Sequence, residues 1–249
     1  MSNKDNEKVF FGSDEVSKND KKLGVDNIFT KVTKNYDLMN DLMSFGAHRL
    51  WKEHFVSSSN LTEDCIALDL AGGTGDISKI IAKKVTKQQI YLCDQNKSMV
   101  EAAKERALNE GFYNSMNFCV ASAENLPFED NFFDHVFISF GFRNFSDKPK
   151  ALSEICRVLK PQGSLNILEF SKVNNKTLSK IYDFYSFNII PKIGDLVSGD
   201  SDSYDYLVKS IRTHEDQETL NNMIIKSGFE KSSYQNLFNG IVTIHKAHK

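Results

Sequence analysis

The sequence predicts an α/β fold, in which a mostly parallel β-sheet carries helices on both faces. Three observations support this prediction. Short apolar runs alternate with helical stretches from residue 65 onwards. The run Val136-Phe137-Ile138 is continuously apolar, which is typical of a strand buried on both faces. The first apolar run leads directly into a glycine-rich turn. Because no linker rich in proline or glycine divides the 249 residues, we expect a single domain.

The helices and strands are predicted from these runs and from the turn-forming residues between them. We expect strands at 65–70, 89–93, 116–120, 134–140 and 164–170, and helices at 77–85, 97–108 and 217–227. Another helix has Pro149 in its first turn, where proline is tolerated. Two last strands, near 230–237 and 241–245, are separated by a few residues around Gly240. We therefore expect them to pair antiparallel.

Three segments lie outside this rhythm. Residues 1–22 are polar and are predicted to form a disordered arm, since they match neither a signal peptide nor a transit peptide. Residues 26–56 look helical, and residues 177–211 are rich in aromatic side chains. We expect both of the latter segments to be helical and to cover the carboxyl edge of the sheet, where ligands of such folds bind.

Composition narrows the function classes. The formal net charge of −2 excludes a strongly basic nucleic-acid binder, and no apolar run is long enough to span a bilayer. The four cysteines form no C-x-x-C pair, which favours a reducing cytoplasm. The six histidines are scattered, so we expect no metal site, and we expect His245 and His248 to be solvated.

The glycine-rich turn lies in Leu68-Asp69-Leu70-Ala71-Gly72-Gly73-Thr74-Gly75-Asp76 and predicts an adenosine-type ligand. Asp94 ends the next strand, where a carboxylate can accept both hydroxyls of a ribose. A dinucleotide fingerprint needs a third glycine or alanine, and Ser78 stands there. Asp69 and Asp76 flank the turn with negative charge, which disfavours a pyrophosphate and suits an ammonium and a sulfonium. The predicted cofactor is S-adenosylmethionine.

Several longer motifs resemble one family, the S-adenosylmethionine-dependent C-methyltransferases of ubiquinone and menaquinone biosynthesis (the UbiE family). The resemblance extends over nearly the whole chain from about Asn27. Its motifs are Val32-Thr33-Lys34-Asn35-Tyr36-Asp37-Leu38-Met39-Asn40-Asp41-Leu42-Met43-Ser44-Phe45-Gly46, His48-Arg49-Leu50-Trp51-Lys52, Ile138-Ser139-Phe140-Gly141-Phe142-Arg143-Asn144, Leu168-Glu169-Phe170-Ser171-Lys172, Tyr182-Asp183-Phe184-Tyr185-Ser186-Phe187, Ser210-Ile211-Arg212 and Asp216-Gln217-Glu218-Thr219-Leu220. Two departures are Gln162, where glycine is usual, and Glu215, where proline is usual. We expect a type I turn at residues 160–163 to tolerate Gln162.

The resemblance implies a class I S-adenosylmethionine-dependent methyltransferase (Rossmann-like) fold, with a seven-stranded, mostly parallel sheet and an antiparallel final hairpin. It also implies methyl transfer to a ring carbon of a polyprenylated quinol, either 2-methoxy-6-polyprenyl-1,4-benzoquinol or demethylmenaquinol or both. The expected cofactor contacts are Asp69, Gly72, Gly73, Thr74, Gly75, Asp94, Ser122, Ala123 and Ser139. Ser122 and Ala123 match the position that reads the adenine edge.

The reaction needs an ionised ring hydroxyl held in line with the methyl group, at roughly 3–3.5 Å. Arg143 directly follows a strand end and is our candidate to stabilise the phenolate, with Asn144 to orient it or a water molecule. Tyr36 is a candidate partner for a ring oxygen. The alternative for Arg143 is a surface ion pair with a carboxylate such as Asp147. The catalytic base stays open.

The prenyl tail requires an apolar surface. Tyr182, Phe184, Tyr185, Phe187, Ile189 and Ile190 are predicted to bind the tail or to form a homodimer contact. We expect a cytoplasmic protein with peripheral contact to the inner face of the membrane or to a quinone-biosynthesis complex, and no nucleic-acid partner. Two alternatives stay open: a nicotinamide-dependent oxidoreductase, and a non-catalytic subunit that binds cofactor or lipid. The missing third glycine counts against the oxidoreductase. The intact glycine turn and the presence of Asp94 count against the non-catalytic subunit.

Overall fold

The computed structural model describes residues 7–33, 36–44, 46–85, 87–173, 180, 184–186, 188–189, 192 and 201–249, with the side chains of residues 37, 42 and 43 left out. The strands are β1 (Lys8–Phe11), β2 (Asp14–Ser17), β3 (Ala67–Leu70), β4 (Ile90–Asp94), β5 (Met116–Val120), β6 (Phe133–Ser139), β7 (Leu159–Phe170), β8 (Lys231–Leu237) and β9 (Val242–His248). The helices are α1 (Lys18–Val32), α2 (Tyr36–Ser44), α3 (His48–Ser57), α4 (Asp76–Ile81), α5 (Lys97–Asn109), α6 (Lys148–Val158), α7 (Ser201–Thr213) and α8 (Gln217–Lys226).

Seven of the strands form one sheet in the order β5-β4-β3-β6-β7-β9-β8. The first five are parallel to one another, and β9 pairs antiparallel with both β7 and β8. The predicted fold class is therefore confirmed, including the antiparallel final hairpin. The strand order reverses between β3 and β6, and open α/β sheets bind ligands beyond the carboxyl ends of the strands at such a point.

The core lies on both faces of this sheet. Phe137 belongs to one buried cluster, whereas its neighbours Val136 and Ile138 belong to the other. Successive side chains of a strand point to opposite faces, so a continuously apolar run fills both layers. Side-chain caps begin several helices: Asn96 accepts from the amide of Met99 in α5, and Asp147 from that of Lys150 in α6.

The amino-terminal segment differs from the sequence prediction. Over the described residues 7–22 the expected disordered arm is an antiparallel β1–β2 hairpin followed by the start of α1. The Phe11 ring lies 4.7 Å from that of Tyr206, and the Thr213 hydroxyl donates to the Gly12 carbonyl at 3.0 Å. These contacts come from α7, about 200 residues away along the chain, so local composition could not indicate them.

Two smaller predictions are also wrong. Gln162 has a φ of +66°, whereas both central residues of the expected type I turn have negative φ values. His245 is buried and hydrogen-bonds through Nε2 to the Gln217 carbonyl at 3.1 Å, because β9 lies inside the sheet between β7 and β8. His248 ends β9 and is exposed, as expected. Within the described residues, every helix is too short or too polar to cross a lipid bilayer.

Candidate functional site

The glycine-rich turn after β3 approaches its neighbours closely. A Cβ atom on Gly72 would lie 2.8 Å from the Leu92 side chain and 3.0 Å from the Asp69 carboxyl group. Gly73 and Gly75 have φ values of +54° and +86°, which a side chain would strain. The turn therefore requires glycine and leaves its backbone open to a ligand beyond the strand ends.

Asp94 lies at the carboxyl end of β4, opposite this turn. Its Oδ2 accepts the Gly73 amide at 3.0 Å and its Oδ1 accepts the Asn96 amide at 2.9 Å. Burial raises the pKa of Asp94 to about 6. Each carboxylate oxygen has a second lone pair, so the group can still accept two further hydrogen bonds. A vicinal diol such as that of ribose presents two donors at this spacing.

A cavity of about 590 Å³, counted together with its open mouth, lies beside Asp94 and the glycine turn. The predicted residues that line it are Tyr36, Gly73, Asp94, Ala123 and Asn144. The structure thus brings together residues from five separate parts of the chain, and residues of α1 and α2 form part of the cavity wall.

The cavity also has walls that the sequence analysis missed. Asp26 and Phe29 of α1 line it, as do Gln95 and Asn96. The Asn96 amide nitrogen donates to the carbonyl and side chain of Asp26 and to the Thr30 hydroxyl, at 2.7–3.0 Å. These bonds hold α1 over the cavity. The run of polar residues around Asp26 gave no signal for this role.

Six other predicted cofactor residues do not line the cavity. Asp69 caps the start of α4, because its Oδ2 accepts the Ser78 amide at 2.9 Å and the Ser78 hydroxyl at 2.7 Å. Thr74 accepts a long hydrogen bond from Arg106, and Ser122 donates to Glu124. The buried hydroxyl of Ser139 has no hydrogen-bond partner among the described residues. Gly72 and Gly75 shape the turn.

Asp76 corrects one step of the sequence argument. Its carboxylate lies 2.6 Å from Lys52 Nζ and 2.7 Å from Arg106 Nη1. Two cations therefore balance a charge that the sequence analysis counted as repelling a pyrophosphate. The case for an adenosine ligand rests instead on Asp94, on the shape of the turn and on the unpartnered Ser139 hydroxyl, and these features fit S-adenosylmethionine.

Tyr36 lies against the glycine turn. Its Cε1, Cζ and hydroxyl oxygen lie 3.6–3.8 Å from the position that a Cβ of Gly73 would take. Burial raises the pKa of Tyr36, so the hydroxyl stays protonated and can donate a hydrogen bond. Asn144 lines the same cavity, and its Oδ1 accepts the Tyr206 hydroxyl at 2.9 Å.

Arg143 is buried and ion-paired, although not with the carboxylate that the sequence suggested. Nη1 donates to Glu169 Oε1 at 2.9 Å and to the Phe140 carbonyl, and Nε donates to the Ser210 hydroxyl at 3.2 Å. Asp147 pairs with Lys18 at 2.8 Å instead. Among the described residues, Arg143 Nη2 has no hydrogen-bond partner.

Arg143 lines a second cavity, of about 840 Å³, and not the one that Asp94 bounds. The walls of this second cavity come from β1, the start of α1, the start of α6 and α7. The two cavities meet at Phe145, which lines both. The fold therefore places an adjoining compartment beside the candidate cofactor site.

The predicted tail-binding residues are only partly covered by the structure. Tyr182, Phe187 and Ile190 lie outside the described residues. Phe184 is 63% exposed, and Tyr185 is half-buried against the core cluster.

Comparison with known proteins gives a consistent result. Residues 15–249 match the model of the ubiE/COQ5 methyltransferase family. The chain is 50% identical to the ubiquinone/menaquinone biosynthesis C-methyltransferase UbiE of Hydrogenovibrio crunogenus over 97% of this chain and 95% of that protein. It is 46% identical to the protein of the same name from Idiomarina loihiensis over the full length of both.

The fold is also shared with solved structures. A SAM dependent methyltransferase from Aquifex aeolicus superposes with a TM-score of 0.61 at 18% identity, over 87% of this chain and 96% of that one. The match in sequence and the match in fold agree, and the chain belongs to the ubiE/COQ5 methyltransferase family.

Proposed function

We propose that this protein transfers a methyl group from S-adenosylmethionine to a ring carbon of a polyprenylated quinol. The acceptor that we propose is 2-methoxy-6-polyprenyl-1,4-benzoquinol, demethylmenaquinol or both, and the curated relatives are named as C-methyltransferases of ubiquinone and menaquinone biosynthesis. The observation that carries the proposal is the Asp94 carboxylate. It is fixed by the Gly73 and Asn96 amides and faces a cavity of about 590 Å³.

In this proposal the chain holds the cofactor at the strand ends. Asp94 accepts the ribose hydroxyls, Ala123 and Ser122 border the adenine, and the Ser139 hydroxyl gains the partner that it lacks within the described protein. The backbone that the cofactor approaches belongs to the turn residues Gly72, Gly73, Thr74 and Gly75. Asp69 supports this turn by accepting the Ser78 amide. When bound, the cofactor supplies an electrophilic methyl group on a sulfonium.

The acceptor side is proposed to lie where the two cavities meet. Tyr36 would donate to a ring oxygen from its position against Gly73, and Asn144 would contact the ring from the wall of the cofactor cavity, next to Phe145. Arg143 would stabilise a developing phenolate through Nη2, while Glu169 fixes the rest of the guanidinium. Phe29, Phe140 and Phe145 would exclude water from the reacting carbon.

We also propose a peripheral membrane contact, because the acceptor carries a lipid tail. Leu50 is 74% exposed and Phe238 is 62% exposed, and both adjoin Trp51: Leu50 precedes it in α3, and the rings of Phe238 and Trp51 lie 5.6 Å apart. We propose that these two exposed apolar side chains form part of the contact. The prediction that residues 182–190 bind the tail or a second copy of the chain stays a prediction.

Titration calorimetry with S-adenosylmethionine tests the cofactor site. We expect binding by the wild-type protein and a loss of about 100-fold or more in Asp94→Ala, since a buried acceptor is removed from two ligand donors. Thr219→Ala is a control on the distant helix α8 and is expected to bind normally. A well-folded wild-type protein that binds no cofactor, with or without a quinol analogue, would contradict the proposal.

A further inference from the structure

The second cavity is lined by five lysine and arginine side chains, and four of them are already matched by carboxylates. Lys8 lies 3.8 Å from Glu15 and Lys18 lies 2.8 Å from Asp147. Lys148 is ion-paired with Glu215, and Arg143 lies 2.9 Å from Glu169. The fifth is Lys21. It forms no ion pair with any described carboxylate, and its Nζ donates to the Arg143 carbonyl at 3.2 Å.

Lys21 is unusual for a lysine because it is only 5% exposed. A buried ammonium without a counter-ion is unfavourable, and proteins commonly respond by releasing the proton. Burial lowers the pKa of Lys21 to about 8, and the positive charges of Lys148 and Arg143 act in the same direction. Glu215 and Glu124 oppose this effect. A substantial fraction of the amine is therefore neutral near pH 8.

Lys21 lies beside the junction where the acceptor is proposed to bind. The residue lies one helical turn before Val25 of α1, which lines the cofactor cavity, while Lys21 itself lines the second one. Its hydrogen-bond partner, the Arg143 carbonyl, directly precedes Asn144, whose side chain lines the cofactor cavity. A ring placed at the junction beside Phe145 would have its reacting carbon toward the cofactor and a hydroxyl toward Lys21.

Resting on the proposed function, we propose that Lys21 is the catalytic base that accepts the proton of the acceptor's ring hydroxyl. The O–H bond breaks, its proton moves to the Nζ lone pair, and the oxygen electrons enter the ring. The ring carbon then forms a bond to the methyl group as the methyl–sulfur bond breaks, and that electron pair stays on sulfur. Finally, the Lys21 ammonium returns its proton to the oxygen, and the carbon-bound proton leaves to water.

The proton transfer is energetically accessible. A phenol has a pKa of about 10, roughly two units above that of Lys21, so the equilibrium constant of the transfer is unfavourable by only about 100-fold. The resulting ammonium lies next to the phenolate and attracts it at low dielectric. Arg143 cannot take this part, because a guanidinium stays protonated in proteins.

The variants are Lys21→Arg, Lys21→Ala and, as a matched control, Lys22→Met at the next, exposed position of α1. For the wild type we expect kcat to rise with pH and level off above about 8. Lys21→Arg should bind the cofactor normally in calorimetry, lose kcat about 100-fold or more and lose this inflection. Lys21→Ala should regain activity when methylamine is added. Lys22→Met should behave like the wild type.

Two outcomes would overturn the proposal. One is a Lys21→Arg variant that keeps kcat within about threefold of the wild type with the same pH profile. The other is a Lys21→Ala variant that methylamine does not rescue. Absence of wild-type turnover would instead contradict the proposed function and the Lys21 proposal together. If Lys21→Ala does not fold, NMR of ¹³C-methylated lysines in the wild-type protein is the deciding measurement. One resonance, absent from Lys21→Arg, should titrate near pH 8 and shift when a quinol analogue is added. Titration of that resonance only near pH 10.5 would overturn the proposal.

Discussion

The carboxylate of Asp94 accepts a hydrogen bond from the backbone amide of Gly73, with 3.0 Å between Oδ2 and the amide nitrogen. This bond joins the end of β4 to the turn after β3. Gly73 has no side chain to hold its position, and the other oxygen of Asp94 accepts the Asn96 amide at 2.9 Å. The ligand edge of the sheet is therefore organised before any ligand binds. Binding then needs little further ordering, which favours affinity.

The first prediction concerns the pH dependence of cofactor binding. Burial raises the pKa of Asp94 to about 6, and only the ionised carboxylate accepts both ribose hydroxyls. We expect the Kd for S-adenosylmethionine to be constant at pH 7–8 and to rise about tenfold per unit below pH 6. Calorimetry at several pH values measures this. Asp94→Asn should bind weakly at every pH, and a wild-type affinity unchanged at pH 5 would contradict the assignment.

The second prediction concerns the turn at residues 160–163, near the start of β7. Gln162 has a φ of +66°, a conformation that costs a non-glycine residue about 1–2 kcal/mol. Because glycine also loses more entropy on folding, we expect Gln162→Gly to raise the free energy of unfolding by about 0.5–1 kcal/mol. Urea unfolding measures it.

The matched control for this turn is Gly163→Ala. A Cβ at position 163 would lie 2.8 Å from the Lys160 carbonyl and 3.2 Å from that of Asp134, both of them backbone atoms. We expect this variant to be destabilised by about 1–3 kcal/mol. If Gln162→Gly proved less stable than the wild type, the left-handed geometry at Gln162 would be refuted.

The third prediction concerns the ion pair of Asp76 with Lys52, which is 4% exposed. Asp76→Asn would leave this ammonium buried without its partner and should destabilise the protein by about 3–5 kcal/mol. The double variant Lys52→Met/Asp76→Asn should lose less than Asp76→Asn alone. Equal losses in the two variants would show that the pair is not coupled.

The same pair predicts a response to acid. Although burial alone would raise it, Lys52 and Arg106 hold the pKa of Asp76 well below its usual range. The stability that the pair contributes is therefore present above about pH 4 and is lost as the pH falls further. The stability difference between wild type and Asp76→Asn should shrink in this range.

How far the sequence predicted this protein depends on the range of the interactions. Short-range patterns predicted the strands, the glycine turn and Asp94, because period and turn chemistry are local properties. The Arg143–Glu169 pair joins residues 26 positions apart, and no pattern in either segment indicates it. The hairpin β1–β2 and the first half of helix α1, residues 18–25, were missed for a related reason. Few of their residues are buried, and they are held by distant partners such as Asn96 and Tyr206.

The fourth prediction concerns the membrane contact. Leu50→Asp/Phe238→Asp should reduce co-sedimentation with phosphatidylethanolamine/phosphatidylglycerol vesicles by at least about tenfold, since each apolar side chain gains about 1.5–3 kcal/mol on burial. Leu108→Asp is the control, because Leu108 is 62% exposed at the end of α5. If the control lost as much binding as the double variant, the face around Trp51 would not be the contact.

The most direct test of the central claim is methyl transfer with ¹³C-methyl-labelled S-adenosylmethionine and a short-chain prenylated quinol, followed by NMR of the product. The account predicts that the label appears on a ring carbon and that Asp94→Ala abolishes the transfer. Label on a ring oxygen, or no transfer by folded protein that binds the cofactor, would contradict it.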